Sequence, residues 1–406
     1  MSISILALIM ISAGSAVADD HVYVVNSYVH VPSPTWSTVA KLEAEDLSLV
    51  ETLQVYDDAH SIAITPDQSR LWVTCPPRNY IVLIDTETFE MFRLIGLGDI
   101  IIHKPMGVAI TPDGETAYVT YSETGKLGIW TAHEGVYIDR VDIGGNPNYI
   151  TFTPDGAKAY VVDYENVTVT VVDTTDNTVM DILEFEGFGL QDAVISPDGS
   201  RLYVSNMQMN QIEVVRTSDN TILTPIVTEY NRPRGINISP NGQYLFVGHY
   251  LAVDALVTMI RLSDEMVVDT AYIPSNPRRI AVNTDGTRIY VTEHNEDEVY
   301  AYNVSGETLE FAAVQDLNTE PGYLASPVGI VVSEDPAPCL DCPANGIIQN
   351  VTYPAGKTCS CSNAEALTIG ANVTIEAGAT VTFIAPVVTF EPGFEAVEGA
   401  SLTVRQ

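Results

Sequence analysis

Positive charge is what this chain has least of: its 406 residues carry 18 Lys and Arg against 53 Asp and Glu, a formal net charge of −35. A field of that sign repels phosphate backbones and anionic headgroups, whose binding relies on cationic neutralisation, and so excludes nucleic acid as a partner. Long hydrophobic runs are missing as well. After the first segment nothing reaches the ~18 apolar residues of a membrane span, so no membrane insertion is expected of the mature chain. No Cys-x-x-Cys-His for covalent haem, no Gly-x-Ser-x-Gly nucleophile elbow and no phosphate-binding loop occurs in the sequence. No cofactor or resident metal is expected. Hydrophobic residues nevertheless make up 46% and charged residues only 17%. A chain of that composition folds, and its acidity is a property of its surface.

Met1 to Ala18 is an apolar run ending in Ala16-Val17-Ala18, the small-x-small pattern of a signal-peptidase site. It reads as a signal peptide, residues 1–18. A membrane anchor needs ~20 unbroken apolar residues, and Ser12, Gly14 and Ser15 interrupt this run. No Lys or Arg precedes it, a departure from the signal-peptide pattern, and no Cys follows the cleavage site. The expected location is secreted, extracellular or periplasmic, with association to a surface. Four of five cysteines cluster as Cys339-x-x-Cys342 and Cys359-x-Cys361, with Cys75 outside the group. Two disulfides suit an oxidising compartment; zinc is the other reading, though Cys-x-Cys is tighter than the usual ribbon spacing.

Self-similarity dominates the rest. Thr65-Pro66-Asp67, Thr111-Pro112-Asp113-Gly114, Thr153-Pro154-Asp155-Gly156, Ser196-Pro197-Asp198-Gly199, Ser239-Pro240-Asn241-Gly242 and Asn283-Thr284-Asp285-Gly286 recur about every 43 residues, with a degenerate seventh copy at Ser333-Glu334-Asp335. Each follows an apolar run such as Val108-Ala109-Ile110 and precedes an alternating one such as Ala117-Tyr118-Val119-Thr120. Strand, turn, strand is a β-hairpin, and two more strands complete a four-stranded propeller blade. Seven inner strands are present, the last near Val328–Val332. The first copy of the second strand is Val22-Tyr23-Val24-Val25. The fold class is therefore all-β, a seven-bladed propeller over residues 19–335 closed by pairing the two ends of the domain, which removes an exposed edge.

Pro-Asp-Gly followed by Tyr-Val-Thr/Ser, with Ile84-Asp85-Thr86 or Val172-Asp173-Thr174 before the second turn, resembles the YVTN-type propeller repeat family of surface-layer and other secreted proteins, which is related to propeller lactonases. The resemblance implies a secreted or surface binding module and specifies fold more than function. Beyond the linker Asp335-Pro336-Ala337-Pro338, short runs such as Leu367-Thr368-Ile369, Val373-Thr374-Ile375 and Thr380–Phe383 alternate with glycines. They suit a short β-solenoid over 336–406 with the cysteines stapling its start. This stretch resembles C-terminal solenoid modules of secreted bacterial proteins, carried by Val388-Thr389-Phe390-Glu391-Pro392-Gly393-Phe394, and the resemblance implies a surface or spacer role.

In a propeller, two loop positions per blade converge on one mouth of the axial channel. Six residues before the turn proline these are His60, Met106, Asn148, Gln191, Arg234, Arg278 and Val328; at the end of the second strand they are Cys75, Tyr121, Asp163, Asn206, His249, Glu293 and Asn26. Arg232, Arg234, Arg278 and Arg279 fall in two neighbouring blades, and His60, His103, His249 and His294 fall on the same face. A cationic arc on so acidic a chain suits a carboxylate or sulfate, since guanidinium binds oxyanions in bidentate fashion. The expected ligand residues are His60, Arg234, His249, Arg278, Arg279 and His294, for an anionic glycan or an extracellular protein. Pairing of these cations with Glu229, Asp254 or Glu296 is the alternative, and four histidines leave metal binding as another. The competing functional reading is a polysaccharide lyase or hydrolase, with a lactonase as a weaker variant. In it Arg278 or Arg279 neutralises the substrate carboxylate, while His60, His249 or Tyr121 moves protons. Oligomeric state is not fixed by the sequence.

Overall fold

The computed structural model describes residues 20–28, 37–56, 58–98, 103–250, 255–317 and 325–333, and beyond these only short strands between 347 and 405. The signal segment, the linker, Asp254, Cys339 and Cys342 lie outside the described residues, and of Cys359 and Cys361 only the strand backbone is described. Contacts divide the chain into one compact unit, Asp20–Ser333, and a second drawn from Glu334–Gln406.

Asp20–Ser333 is the seven-bladed propeller. Blade 1 is built of Ser61–Ile64, Arg70–Cys75, Tyr80–Asp85 and Glu90–Gly96, paired antiparallel in that order. Blades 2 to 6 repeat it from the inner strands Pro105–Ile110, Pro147–Phe152, Leu190–Ile195, Pro233–Ile238 and Pro277–Val282. In blade 4 the outer position is split between Thr221–Ile222 and Ile226–Val227. Blade 7 closes the ring as the sequence predicts. Its inner strand Ala325–Ser333 pairs with His21–Tyr28, Val24 opposite Ile330 and His21 opposite Ser333, and Ser37–Glu43 and Leu49–Val55 follow outward. The inner strands touch in a closed circle, that of blade 7 meeting that of blade 1.

Hydrophobic burial sits between blades. Trp72, Val119 and Trp130 share a cluster across blades 1 and 2, and Val24, Tyr290 and Ile330 share one across blades 6 and 7. The aromatic in the middle of the second strand supplies the largest fully buried side chains, Trp72, Tyr160, Phe246 and Tyr290. Each contributes on the order of 2–3 kcal/mol of transfer free energy to the junction with the next blade.

The turn motif holds the opposite rim. Thr111 Oγ1 donates to Asp113 Oδ1 at 2.6 Å, and Gly114 N donates back to Thr111 O at 2.8 Å. In the equivalent turn of blade 4, Gly199 has φ +70°, and a Cβ there would stand 3.1 Å from Pro154 Cδ of blade 3. Glycine is required both by the left-handed backbone and by the neighbouring proline. Gly199→Ala is therefore expected to lower unfolding free energy by about 1 kcal/mol or more in urea titrations; an unchanged midpoint would show that the turn is not under this constraint.

In the second unit the described strands pair in parallel as three three-stranded sheets, Leu367–Ile369 with Val388–Phe390 and Val373–Ile375 with Phe394–Ala396 among them. Partners lie 21 or 22 positions apart in every sheet.

Candidate functional site

The inner strand of each blade ends at the mouth, and what fixes that end is a hydroxyl in the second strand. Thr120 Oγ1 accepts from Gly107 N at 2.7 Å within its own blade and donates to Asn148 O of the next blade at 3.1 Å. Thr74 makes the same bridge from Ser61 N to Met106 O, and Ser205 makes it from Asp192 N to Arg234 O. The bridged carbonyls belong to the residues that the repeat places at the mouth.

Five of the seven inner-strand positions, His60, Met106, Asn148, Arg278 and Val328, line one mouth cavity of about 570 Å3. Asp58, Lys104, Tyr164, Glu165 and His294 complete its wall. The second set of seven does not reach the cavity, and this corrects the sequence reading. Asn26, Cys75, Tyr121, Asp163, Asn206, His249 and Glu293 are all buried. In blades 3, 4 and 6 the polar side chain at this position accepts from N–H groups of nearby loops, Asn206 from Met209 N at 3.2 Å. Asp163 accepts from Asn146 N, Glu165 N and Asn166 N at 2.6 to 3.0 Å, and Glu293 accepts from Asn276 N at 2.8 Å and Asn295 N at 3.1 Å.

Two proposed proton carriers fall with that set. His249 is 0% exposed, its Nε2 lies 3.0 Å from Thr258 Oγ1, and burial lowers its pKa to about 4. Tyr121 is 4% exposed and accepts from Trp130 Nε1 at 3.0 Å, and burial pushes its phenol well above the ordinary value. Neither touches the mouth.

The adjacent arginines divide between two compartments. Arg279 points into the channel, where it pairs with Asp192 of blade 4 and lies over the Tyr149 ring of blade 3 at 3.7 Å from its centroid. Asp192 Oδ2 also accepts from Ile236 N of blade 5 at 3.2 Å. Burial is the largest influence and opposes the Arg279 charge, but the attraction of Asp192, that of Tyr149 and the hydrogen bond to Asp192 together outweigh it and raise the pKa. The sequence offered Glu229 and Glu296 as alternative partners for these arginines, yet both carboxylates are exposed and Arg279 pairs with Asp192. Tyr149, Asp192 and Arg279 occupy the same repeat position. Its counterparts Gly107, Gly235 and Gly329 leave the room they fill, and the channel beside them holds about 190 Å3. A Cβ on Gly235 would stand 2.5 Å from Arg278 O, so side chains are excluded there by the approach of the next strand.

Arg278 faces the cavity, its Nη1 3.3 Å from Nδ1 of His294. Burial, then the like charge of Arg234, lowers its pKa to about 10. Arg234 donates to Asn276 Oδ1 at 2.8 Å, and its pKa is lowered mainly by burial. Among the described residues neither guanidinium forms a salt bridge. Histidines beside them stay neutral: burial and then Arg278 bring His60 to about 3 and His294 to about 4. His103 instead packs against Tyr121, ring centroids 5.2 Å apart. No group of three or more His, Cys, Asp or Glu is placed to hold a metal among the described residues. The sequence offered one signal for the residues it missed, a Tyr, an Asp and an Arg at a position otherwise held by glycine or serine.

Fold and site together define a β-propeller with a cationic mouth over a plugged channel. The sequence profile of the family described as "Lactonase, 7-bladed beta-propeller" matches residues 103–264, blades 2 to 4 and most of blade 5. Among solved structures, a functionally unknown protein from Desulfotomaculum acetoxidans is similar at 18% identity and TM-score 0.62, over 77% of this chain and 98% of that one. Hydrazine synthase of Kuenenia stuttgartiensis is similar at 21% identity and TM-score 0.54, over 60% and 76%. U3-55K is similar at 13% identity and TM-score 0.54, over 62% and 80%. Likenesses at these identities describe the fold alone. No curated protein matches the chain.

Two outcomes follow. Arg279→Ala strands Asp192 in the channel and is expected to cost about 3 kcal/mol of stability, whereas Arg278→Ala, which breaks no ion pair, leaves the denaturation midpoint within error or raises it. Equal losses in the two variants would contradict this division. The second concerns pH. His249 has a folded pKa of about 4, below the ~6.5 of an unfolded histidine. The unfolded chain therefore takes up the proton first, and stability present above ~6.5 is lost as pH falls towards 4. His60 and His294 act in the same direction. The Tm of the wild type should drop across that window and that of His249→Gln should drop less; parallel curves would show that His249 is not buried neutral.

Proposed function

We propose that the protein is a secreted or surface-associated binding module that takes an anionic group of an extracellular glycan at the propeller mouth. The observation that carries this reading is Arg278, a guanidinium in the wall of a concave cavity with no salt bridge among the described residues and a second such guanidinium, Arg234, behind it. A cavity of about 570 Å3 suits one or two sugar rings rather than a flat protein surface. Arg278 binds the carboxylate or sulfate, relieving the repulsion from Arg234, while neutral His60 and His294 offer hydrogen bonds to ring hydroxyls. Membership of the YVTN-type repeat family, the signal peptide and a C-terminal solenoid acting as a spacer belong to this same reading. The parallel strand pairing of the second unit, at a step of 21 or 22 positions, supports the last of these.

Calorimetric titration with polyuronates and sulfated glycans tests it, with an array of matrix proteins as the other arm. Binding to an acidic glycan is expected, reduced at least tenfold in Arg278→Ala and weakened by salt. Affinity should be flat between pH 7.5 and 5.5, because arginines stay charged and both histidines stay neutral throughout. Protein binding without glycan binding, or affinity unchanged in Arg278→Ala, would overturn the assignment.

The profile match over residues 103–264 favours one second reading, a hydrolase of lactones or related esters at the same mouth. Arg278 would stabilise the oxyanion and His294, 3.3 Å from it, would orient water. Proton release from simple lactones, abolished by Arg278→Ala, would establish it.

A further inference from the structure

Four of the seven junctions between blades have a latch on the rim opposite the mouth, made by the aromatic of the second strand. Trp72 Nε1 donates to Ala132 O at 2.7 Å, and Tyr118 donates to Asn177 Oδ1 at 2.5 Å. Tyr160 donates to Asn220 Oδ1 at 3.1 Å, while Lys158, two residues earlier, donates to Thr217 O at 2.6 Å. Tyr290 donates to Ala44 O at 2.9 Å, with Arg288 on the same carbonyl at 2.6 Å. Two junctions are apolar instead. Phe246 carries no polar group, and the Tyr23 ring packs on Phe89 with centroids 5.9 Å apart.

The junction of blades 4 and 5 follows neither pattern. Tyr203 occupies the latch position and Arg201 the place of Lys158 and Arg288, yet among the described residues the Tyr203 hydroxyl and the Arg201 guanidinium make no hydrogen bond to blade 5. The cause is the facing turn. Where blade 4 has Thr217 and Asn220, blade 5 has Leu262 and Glu265. Glu265 keeps the left-handed backbone of Asn220, φ 59° against 56°, but is exposed and leaves the tyrosine unmet. A cleft of about 580 Å3 opens there, walled by Arg201, Tyr203, Asn241, Tyr244 and Leu262. Arg261 in its wall is already committed to Asp264 and to Glu307 of blade 6.

We propose that this cleft is a docking site for a peptide turn of a partner protein, one that presents an Asn or Asp side chain beside a backbone carbonyl. The ligand would supply the acceptors that the Thr217–Asn220 turn gives to Lys158 and Tyr160 one junction earlier, with Arg201 and Tyr203 as donors. An amide or carboxylate is selected because the two open groups are a cation and a phenol, and their counterparts next door, Lys158 and Tyr160, hold Asn220 Oδ1 at 3.3 and 3.1 Å. The site is independent of the mouth, since it lies among the Pro-Asp-Gly turns on the other rim.

A capped peptide Thr-Ser-Asp-Asn-Thr, the sequence of residues 217–221, is the probe, titrated into the full chain with saturation-transfer NMR as readout. Saturable binding at millimolar or tighter affinity is expected, absent for the peptide with Ala-Ala in place of Asp-Asn. It should weaken about fivefold in Tyr203→Phe and in Arg201→Ala. Thermal melts keep the test independent of folding. Tyr203→Phe should leave the Tm unchanged where Tyr160→Phe lowers it, because only the latter loses an internal bond. No saturation at about 5 mM peptide, binding unaffected by both variants, a Tm loss in Tyr203→Phe equal to that in Tyr160→Phe, or a glycan occupying the cleft in place of the peptide would each overturn the proposal.

Discussion

One hydroxyl, repeated around the ring, sets the geometry of the mouth. Thr74, Thr120 and Ser205 each take an N–H from their own inner strand and give a proton to the carbonyl of the next one. In blade 1 Ser61 stands opposite Thr74 in register, while in blades 2 and 4 the bond acts where the inner strand shifts register against its partner, as between Pro105 and Val108. There it fixes both the bulge and the distance to the neighbouring blade. Because the acceptors are the carbonyls of Met106, Asn148 and Arg234, the same bond that joins blades also aims the residues that face the mouth. Replacing the hydroxyl by a methyl would leave a buried N–H and a carbonyl unsatisfied together, so stability and site geometry cannot be separated at these positions.

A one-residue step decides what each arginine does. Arg278 and Arg279 are consecutive on a strand, so their side chains leave it on different sides, one to the cavity wall and one to the channel. In the channel Arg279 meets Asp192 and Tyr149, residues brought from blades 4 and 3 by the curvature of the ring. That pair neutralises the channel and closes it beneath the mouth. Arg278 and Arg234 gain no such partner, and the lowered pKa of each records the cost first of its burial, to which the like charge of Arg234 adds at Arg278 and that of Arg279 adds at Arg234. An anion entering the mouth reduces that cost, so the unfavourable electrostatics of the empty site become a source of affinity.

Much of the fold was legible because the repeat carries its own reasons. The Thr-Pro-Asp-Gly turn closes on itself through Thr111 and Asp113, so four residues suffice to recognise it, and counting them yields seven blades and the closure through Val22–Val25. The inner-strand half of the mouth was legible for the same cause. The other half was not. A polar residue at a strand end looks alike whether it faces solvent or satisfies its own loop, and only the third dimension tells that Asp163 and Glu293 serve neighbouring N–H groups. His249 and Tyr121 were misplaced by that ambiguity. Asp192 was missed because its role depends on Arg279, two blades away and 87 residues later, a pairing no local pattern encodes.

Scarcity gives the remaining cations their meaning. With 53 acidic residues against 18 basic ones, a lysine or arginine on this surface finds a carboxylate with ease, as Lys104 does with Glu123, Lys126 with Asp142 and Arg261 with Asp264. Others, Arg140 and Arg232 among them, stand exposed with no carboxylate partner among the described residues. Arg278 and Arg234 differ in being buried at the mouth, and Arg201 in standing at a junction whose facing turn offers it no acceptor. In both places the backbone scaffold is the common one and a few side chains differ, so the departures can be assigned to those side chains. A repeat fold makes such reasoning possible: every blade is a control for the others, and a position that breaks the pattern in one blade alone marks where the structure has been left open to something outside itself.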